Sequence, residues 1–222
     1  MIKFIDWNLI EYSEAWKKQQ EVFDAMIALK MEKKPTEELQ QIVYCEHPHV
    51  YTLGKHGKPS NMLVNDEFLK KINASFFPID RGGDITYHGP GQIVGYPLLD
   101  LENFSLSLKD YIYNIEECII RTLAHYGIAA DRLQGATGVW LDKDTPRARK
   151  ICAIGVRASR YVTMHGFAFN VNTDLKYFSY INPCGFVDKG VTSLQLEMGR
   201  EMDMNEVKAL LTKNFEELLL NK

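Results

Sequence analysis

The most regular stretch of the chain runs from 106 to 126, where Leu108, Tyr111, Ile112, Ile115, Ile119, Leu123 and Tyr126 recur three or four residues apart. That period draws one apolar stripe along an α-helix and predicts a buried face. Ser107 with Asp110 gives a capping pattern at its start, and Gly127 stands where a left-handed residue ends a helix. A broader stripe of Trp16, Val22, Phe23, Met26, Ile27 and Leu29 predicts a helix over 14–34, with Ser13 as N-cap and Pro35 as its stop. Asn65 can cap a short helix over 66–72, whose first turn carries Asp66 and Glu67, the sign favoured there. Asp203 and Glu206 open a last helix, 204–220.

Between the helices lie short β-branched and aromatic runs: 41–45, 50–54, an extended 76–80, and QIVGYPLLDL at 92–101. Three more strands are predicted at 137–142, 150–157 and 161–171. The last alternates, with Val162, Met164, Gly166 and Ala168 on one face and Thr163, His165, Phe167 and Phe169 on the other. Strands and helices mix without the rhythm of a doubly wound fold, so the expected class is α+β. Neither a linker nor a repeat interrupts the pattern, and one domain over 1–222 is expected.

Composition narrows the function. Among 222 residues, 26 basic and 29 acidic side chains give a formal charge of −3, which argues against a dedicated nucleic-acid binder. The first residues are interrupted by Asp6, Asn8 and Glu11, so the roughly 7–15-residue apolar core of a secretory signal is missing. No run approaches the ~18–20 apolar residues that cross a bilayer. Cys45, Cys118, Cys152 and Cys184 are widely spaced, as expected of reduced thiols in a cytoplasmic protein without membrane association.

The densest punctuation is RGGDITYHGPGQ, 81–92, and five of the 15 glycines fall between 82 and 95. Glycine allows close approach of backbone to a ligand, and Arg81, Thr86, Tyr87 and His88 supply polar groups. A sharp loop between strands explains the same residues. Neither a Walker loop nor G-x-G-x-x-G is present, so phosphate binding is unsupported. Cys45, Cys118 and Cys152 sit in apolar strands or a helix and read as core filler. Cys184 differs: Asn182-Pro183-Cys184-Gly185 is a turn, which can hold a thiol at the lip of a pocket. A nucleophilic thiol needs a base or cation beside it; His88, His165, Lys150 and Lys189 are candidates, with a histidine as the default. His165, in an alternating strand, also reads as a structural histidine. Cys45, His47 and His49 share one face of a strand, but no second ligand cluster follows, so a metal site is not expected.

Three blocks, RGGDITYHGPGQIVGYPLLDL (81–101), RKICAIGVRASRYVTMHGFAFNV (149–171) and INPCGFVDKGVTSL (181–194), closely resemble the bacterial lipoyl(octanoyl) transferases. YTLGKHGKPSNML (51–63) matches more loosely, and the likeness covers most of 40–195. The resemblance implies the α/β fold of the biotin/lipoate protein ligase catalytic domain, a mixed sheet flanked by helices. It implies that Cys184 is the acyl-thioester nucleophile and that Lys150 lowers its pKa and moves the proton, replacing the histidine default. It places acyl-binding contacts at Arg81, Gly82, Gly83, Asp84, Ile85, Thr86, Tyr87 and His88, at Ala153, Ile154 and Gly155, and at Gly166, Phe167 and Ala168. The loop 141–150 departs from the family by a few extra residues.

The implied reaction moves an octanoyl group from acyl carrier protein to a lysine on lipoyl domains of 2-oxoacid dehydrogenase E2 subunits or the glycine-cleavage H protein, by a monomer without cofactor or metal. Burying six to seven methylenes is worth roughly 5 kcal/mol, and small residues at Gly155, Gly166 and Ala168 would leave room for the chain. Arg147, Arg149, Arg157 and Arg160 form either a docking surface for the acidic carrier or an ordinary charged surface. The rivals are an ATP-dependent lipoate or biotin protein ligase on the same fold, an amidotransferase between lipoyl domains, and a non-enzymatic carrier-binding module.

Overall fold

A computed structural model describes residues 2–182 and 190–220. Its larger sheet is built from β1 (Lys3–Leu9), β2 (Gln41–Glu46), β6 (Gln92–Leu98), β10 (Val162–Asn170), β9 (Arg149–Ser159), β8 (Ala136–Leu141) and β7 (Asp131–Leu133), in that spatial order. β1 runs parallel to β2, the remaining pairs along this path are antiparallel, and β11 (Gly190–Val191) lies parallel to the start of β9. A smaller sheet places β3 (Val50–Leu53) between β4 (Ser75–Pro78) and β5 (Ile85–His88). The expected mixed α+β architecture is therefore present.

Alternation along the strands divides two buried layers. Ile42 and Tyr44 of β2, Ile93 of β6 and Phe167 and Phe169 of β10 pack with α3 (Leu108–His125) and α5 (Met204–Leu220) through Cys118, Ile119, Leu211 and Phe215. Val43 and Cys45 of β2 and Val94 of β6 turn the other way, towards Ala15 of α1 (Tyr12–Met31). Farther along α1, Phe23 and Met26 cover Leu98, Val162 and Met164. Helices on both faces explain why every residue of β6 and β10 is buried.

The caps follow the sequence closely. Ser107 and Asp110 form a reciprocal capping box at α3, and the Asn65 side chain accepts from Phe68 N–H at α2 (Asp66–Lys71). Helix α1 begins earlier than predicted: Glu11 is its N-cap and Ser13 lies inside the first turn. Several elements were not anticipated, among them three strands. β1 is a parallel edge strand whose pattern Asp6 and Asn8 blur, β7 is three residues long, and β5 lies inside the glycine-rich block.

Glycine at 166 is also required by the packing of two strands. A Cβ there would stand 2.1 Å from the Gly95 carbonyl oxygen and 2.6 Å from Pro97 Cδ, so the space is already filled by β6. Its small size serves the approach of two strands. Beside it His165 adopts a left-handed conformation (φ 59°), which interrupts the regular alternation of β10. We expect Gly166→Ala to destabilise the protein by about 2 kcal/mol or more, because backbone must move to admit one methyl. Urea unfolding of the purified variant checks this.

Candidate active site

A cavity of about 630 Å³ lies between the larger sheet and β5. Its size falls within the roughly 300–1,000 Å³ usual for small-molecule sites. The loop 81–84 forms one wall, and Arg81 ties it to β3. Arg81 is buried, and its guanidinium donates to the carbonyls of Thr52, Gly82 and Asp84 at 2.9, 3.0 and 2.7 Å and to Thr52 Oγ1 at 3.0 Å. Gly155 completes the fit, since a Cβ there would stand 2.8 Å from the Gly82 carbonyl oxygen.

The opposite wall depends on a break in strand register. Gly138 and Val139 of β8 face Ala153 and Cys152 of β9, but Trp140 faces Lys150, leaving Ile151 as an extra residue. Such a bulge shifts the side-chain alternation by one. Ile151 and Cys152 consequently both enter the core, while Lys150 and Ala153, three residues apart, both line the cavity. Lys150 is half-buried; its Nζ donates to the Thr137 carbonyl oxygen at 3.1 Å and lies 4.7 Å from the Trp140 ring centroid.

The other residues implied as acyl contacts gather here too, with one exception. Arg81, Gly82, Gly83, Asp84, Ile85, Thr86 and His88 line the cavity, as do Ala153, Ile154, Gly155, Gly166, Phe167 and Ala168. Tyr87 does not. Alternation in β5 turns it to the far side, where it stacks on Tyr177 and its hydroxyl meets His49 Nδ1 at 2.8 Å. Tyr12 of α1, Leu108 and Ile112 of α3, and Trp140 also reach the cavity without having been singled out. The i, i+4 spacing of Leu108 and Ile112 was a visible apolar signal; nothing local marked Tyr12.

Cys184 lies outside the described residues, as does Lys189. The chain on either side is anchored. Asn182 N–H donates to the Asn61 carbonyl at 2.8 Å, and Gly190 and Val191 pair with Arg149 and Lys150. Cys45, Cys118 and Cys152 are fully buried, and burial pushes each thiol well up. None of these three is poised as a thiolate at neutral pH.

Two histidines face the cavity in fixed states. Burial holds the His88 pKa down to about 3, and its Nδ1 donates to Gln92 Oε1 at 2.8 Å. Burial also lowers His165, whose Nε2 donates to Asp80 Oδ1 at 2.9 Å. That hydrogen bond and the adjacent Arg157 keep the Asp80 carboxyl below its usual range. Deeper, His47 is held at about 4 by burial and bonds the Ile10 carbonyl and Tyr96 hydroxyl, while His49 is engaged with Tyr87 and Tyr177. Two of the candidate docking arginines are occupied internally: Arg149 pairs with Glu197 and Asp142, and Arg157 with Asp80. Arg147 and Arg160 are exposed.

Residues 11–216 match the Lipoyl protein ligase A/B catalytic domain, and the chain belongs to that family. An octanoyltransferase of Bacteroides fragilis (strain YCH46) is 62% identical over 217 residues, covering 98% of this chain and 97% of that one. The fold is similar to a bipartite lipoate protein ligase from Thermoplasma acidophilum (TM-score 0.69, 16% identity, 98% of this chain and 83% of that one). It is also similar to lipoate-protein ligase A bound with ATP (TM-score 0.67, 15% identity, 98% and 84%). The mixed sheet flanked by helices is thus the lipoate-ligase catalytic fold. Among the described residues no helix is long and apolar enough to cross a membrane.

The buried histidines set an acid limit on stability. Their folded pKa values lie below the ordinary 6.5, so the unfolded chain binds protons first as pH falls. Stability should therefore decline from pH 6.5 towards about 4 for His47 and about 3 for His88. The expected slope is about 1.4 kcal/mol per pH unit for each histidine. Urea titrations between pH 7 and 4 should show this slope, and His88→Gln should flatten it.

Proposed function

We propose that this protein is an octanoyltransferase that carries the acyl group as a thioester on Cys184, with Lys150 as the base and proton carrier. The donor is the octanoyl thioester on the phosphopantetheine of acyl carrier protein. Lys150 takes the thiol proton, the Cys184 sulfur attacks the carbonyl, and the carrier thiol leaves with the proton returned from Lys150. A lipoyl-domain lysine amine then attacks the new thioester, an amide forms, and the Cys184 thiol is regenerated. The acyl donor is already activated, so the chemistry requires neither ATP nor a metal.

The single observation that supports this reading most is the position of Lys150 on the rim of the cavity, turned there by the bulge at Ile151. A cation beside a thiol favours the thiolate and can bring its pKa from about 8.5 into the range 3.5–7.5. The apolar part of the cavity, with Ile85, Ile154, Phe167 and Ala168, suits an alkyl chain. The near-full-length relative at 62% identity bears the corresponding name.

Incubation with octanoyl-carrier protein, without ATP, should add one octanoyl group to the intact protein, mapping to Cys184. Cys184→Ala should abolish the adduct, and Lys150→Ala should slow its formation about a hundredfold or more, as expected for loss of a general base. Full transfer by Cys184→Ala that depends on ATP and free octanoate would instead identify a ligase. Unchanged acylation by Lys150→Ala would remove the assigned base.

A further inference from the structure

We propose that Glu116 is a positioning residue for Lys150, acting through the one peptide group that joins Thr137 to Gly138. The inference rests on the role assigned to Lys150 above. Glu116 lies on the buried face of α3, and its Oε1 accepts the Gly138 N–H at 3.0 Å. The carbonyl of that same peptide unit, on Thr137, accepts Lys150 Nζ at 3.1 Å. The amide is therefore gripped at both ends, by a carboxylate on one side and the lysine amino group on the other. An amide whose N–H is held by an anion becomes a better acceptor at its oxygen, so the two bonds reinforce each other.

Three further features fit this arrangement. Gly138 has φ +128°, a conformation that side-chain-bearing residues rarely adopt, and a Cβ there would stand 2.5 Å from the Cys152 carbonyl oxygen and 3.3 Å from Lys150 Cε. The peptide is thus set at an orientation that local propensity would not choose, and the stem of Lys150 packs directly over it. Arg132 of β7 forms an ion pair with the far oxygen of Glu116, Nε 3.1 Å from Oε2, while its Nη2 donates to Glu117 and its guanidinium lies over the Tyr113 ring. Finally, the bulge at Ile151 turns Lys150 towards the cavity but does not set how far its amine extends. The hydrogen bond to the Thr137 carbonyl bears on that reach, and Glu116 holds the same peptide unit.

The test is a double-mutant cycle read by the rate at which iodoacetamide labels Cys184 at pH 7, located by peptide mass mapping. Labelling can be measured even where acyl transfer is too slow to follow. Glu116→Leu, which keeps the bulk and removes the acceptor, should slow labelling about tenfold. Glu116→Gln, which keeps an oxygen for Gly138 N–H, should retain at least half the rate. In a Lys150→Ala background Glu116→Leu should have no further effect, because its influence passes through that amine. If Glu116→Leu does not fold, the paired Glu116→Met/Arg132→Met variant takes its place, since buried ion pairs can often be exchanged for apolar residues together.

A normal rate for the acceptor-free variant, or an equal tenfold loss with Lys150 already removed, would overturn the proposal. Should Lys150→Ala itself label and acylate normally, the failure would belong to the assignment of Lys150 rather than to Glu116.

Discussion

Strand β9 has to satisfy two surfaces with incompatible demands, and one extra residue reconciles them. Its core side is closed by α3 and α5, which require Ile151 and Cys152, while its other side borders the cavity with Lys150, Ala153 and Gly155. Strict alternation cannot place Lys150 and Ala153 together, because an odd spacing sends them to opposite faces. The bulge opposite Val139 and Trp140 restores the match. A charged residue is thereby delivered to the rim of the cavity, at the cost of one unpaired residue in the β8–β9 ladder.

The other wall is organised by charge of a different kind. Arg81 spends its guanidinium on neutral acceptors, three carbonyls and one hydroxyl, and so acts as a clamp between β3 and the loop 81–84. Around it His88, His165 and Asp80 are hydrogen-bonded into fixed protonation states. Each of these groups thus keeps a hydrogen-bond partner beside the cavity. The two histidines that residue chemistry alone favoured as partners of a thiol are occupied in this scaffold.

Much of the frame was legible from the chain. Helix α3 declared itself through period and capping box, Asn65 capped the helix it was expected to cap, and α5 began at its acidic start. These are local effects, decided within a turn or two of chain. What escaped reading depended on contacts distant in sequence. The bulge at Ile151 is invisible in KICAIG, which reads as an unbroken strand; it exists because β8 and α3 meet β9 there. β5 looked like part of a loop because its glycine-rich flanks dominate, yet its pairing with β3 makes the second sheet. Gly166 was legible as a small residue, but the reason for it lies on β6. The assignment of Lys150 came from family resemblance, since a lysine at the start of a strand after an arginine-rich loop has no distinctive local signal.

Arg149, next to Lys150, has a consequence for how this scaffold can vary. Its guanidinium grips Glu197 on α4 (Leu194–Met198) through two hydrogen bonds of 2.7 Å, while another nitrogen reaches Asp142 at the far end of the preceding loop. The loop therefore leaves and rejoins the sheet through a fixed gate, with residues 143–147 looping out beyond it. Doubling the length of such an excursion costs only about 0.6 kcal/mol in closure entropy. The extra residues noted in this loop are thus a cheap place for the surface to diversify or to accept an inserted peptide, insulated from the lysine one position away.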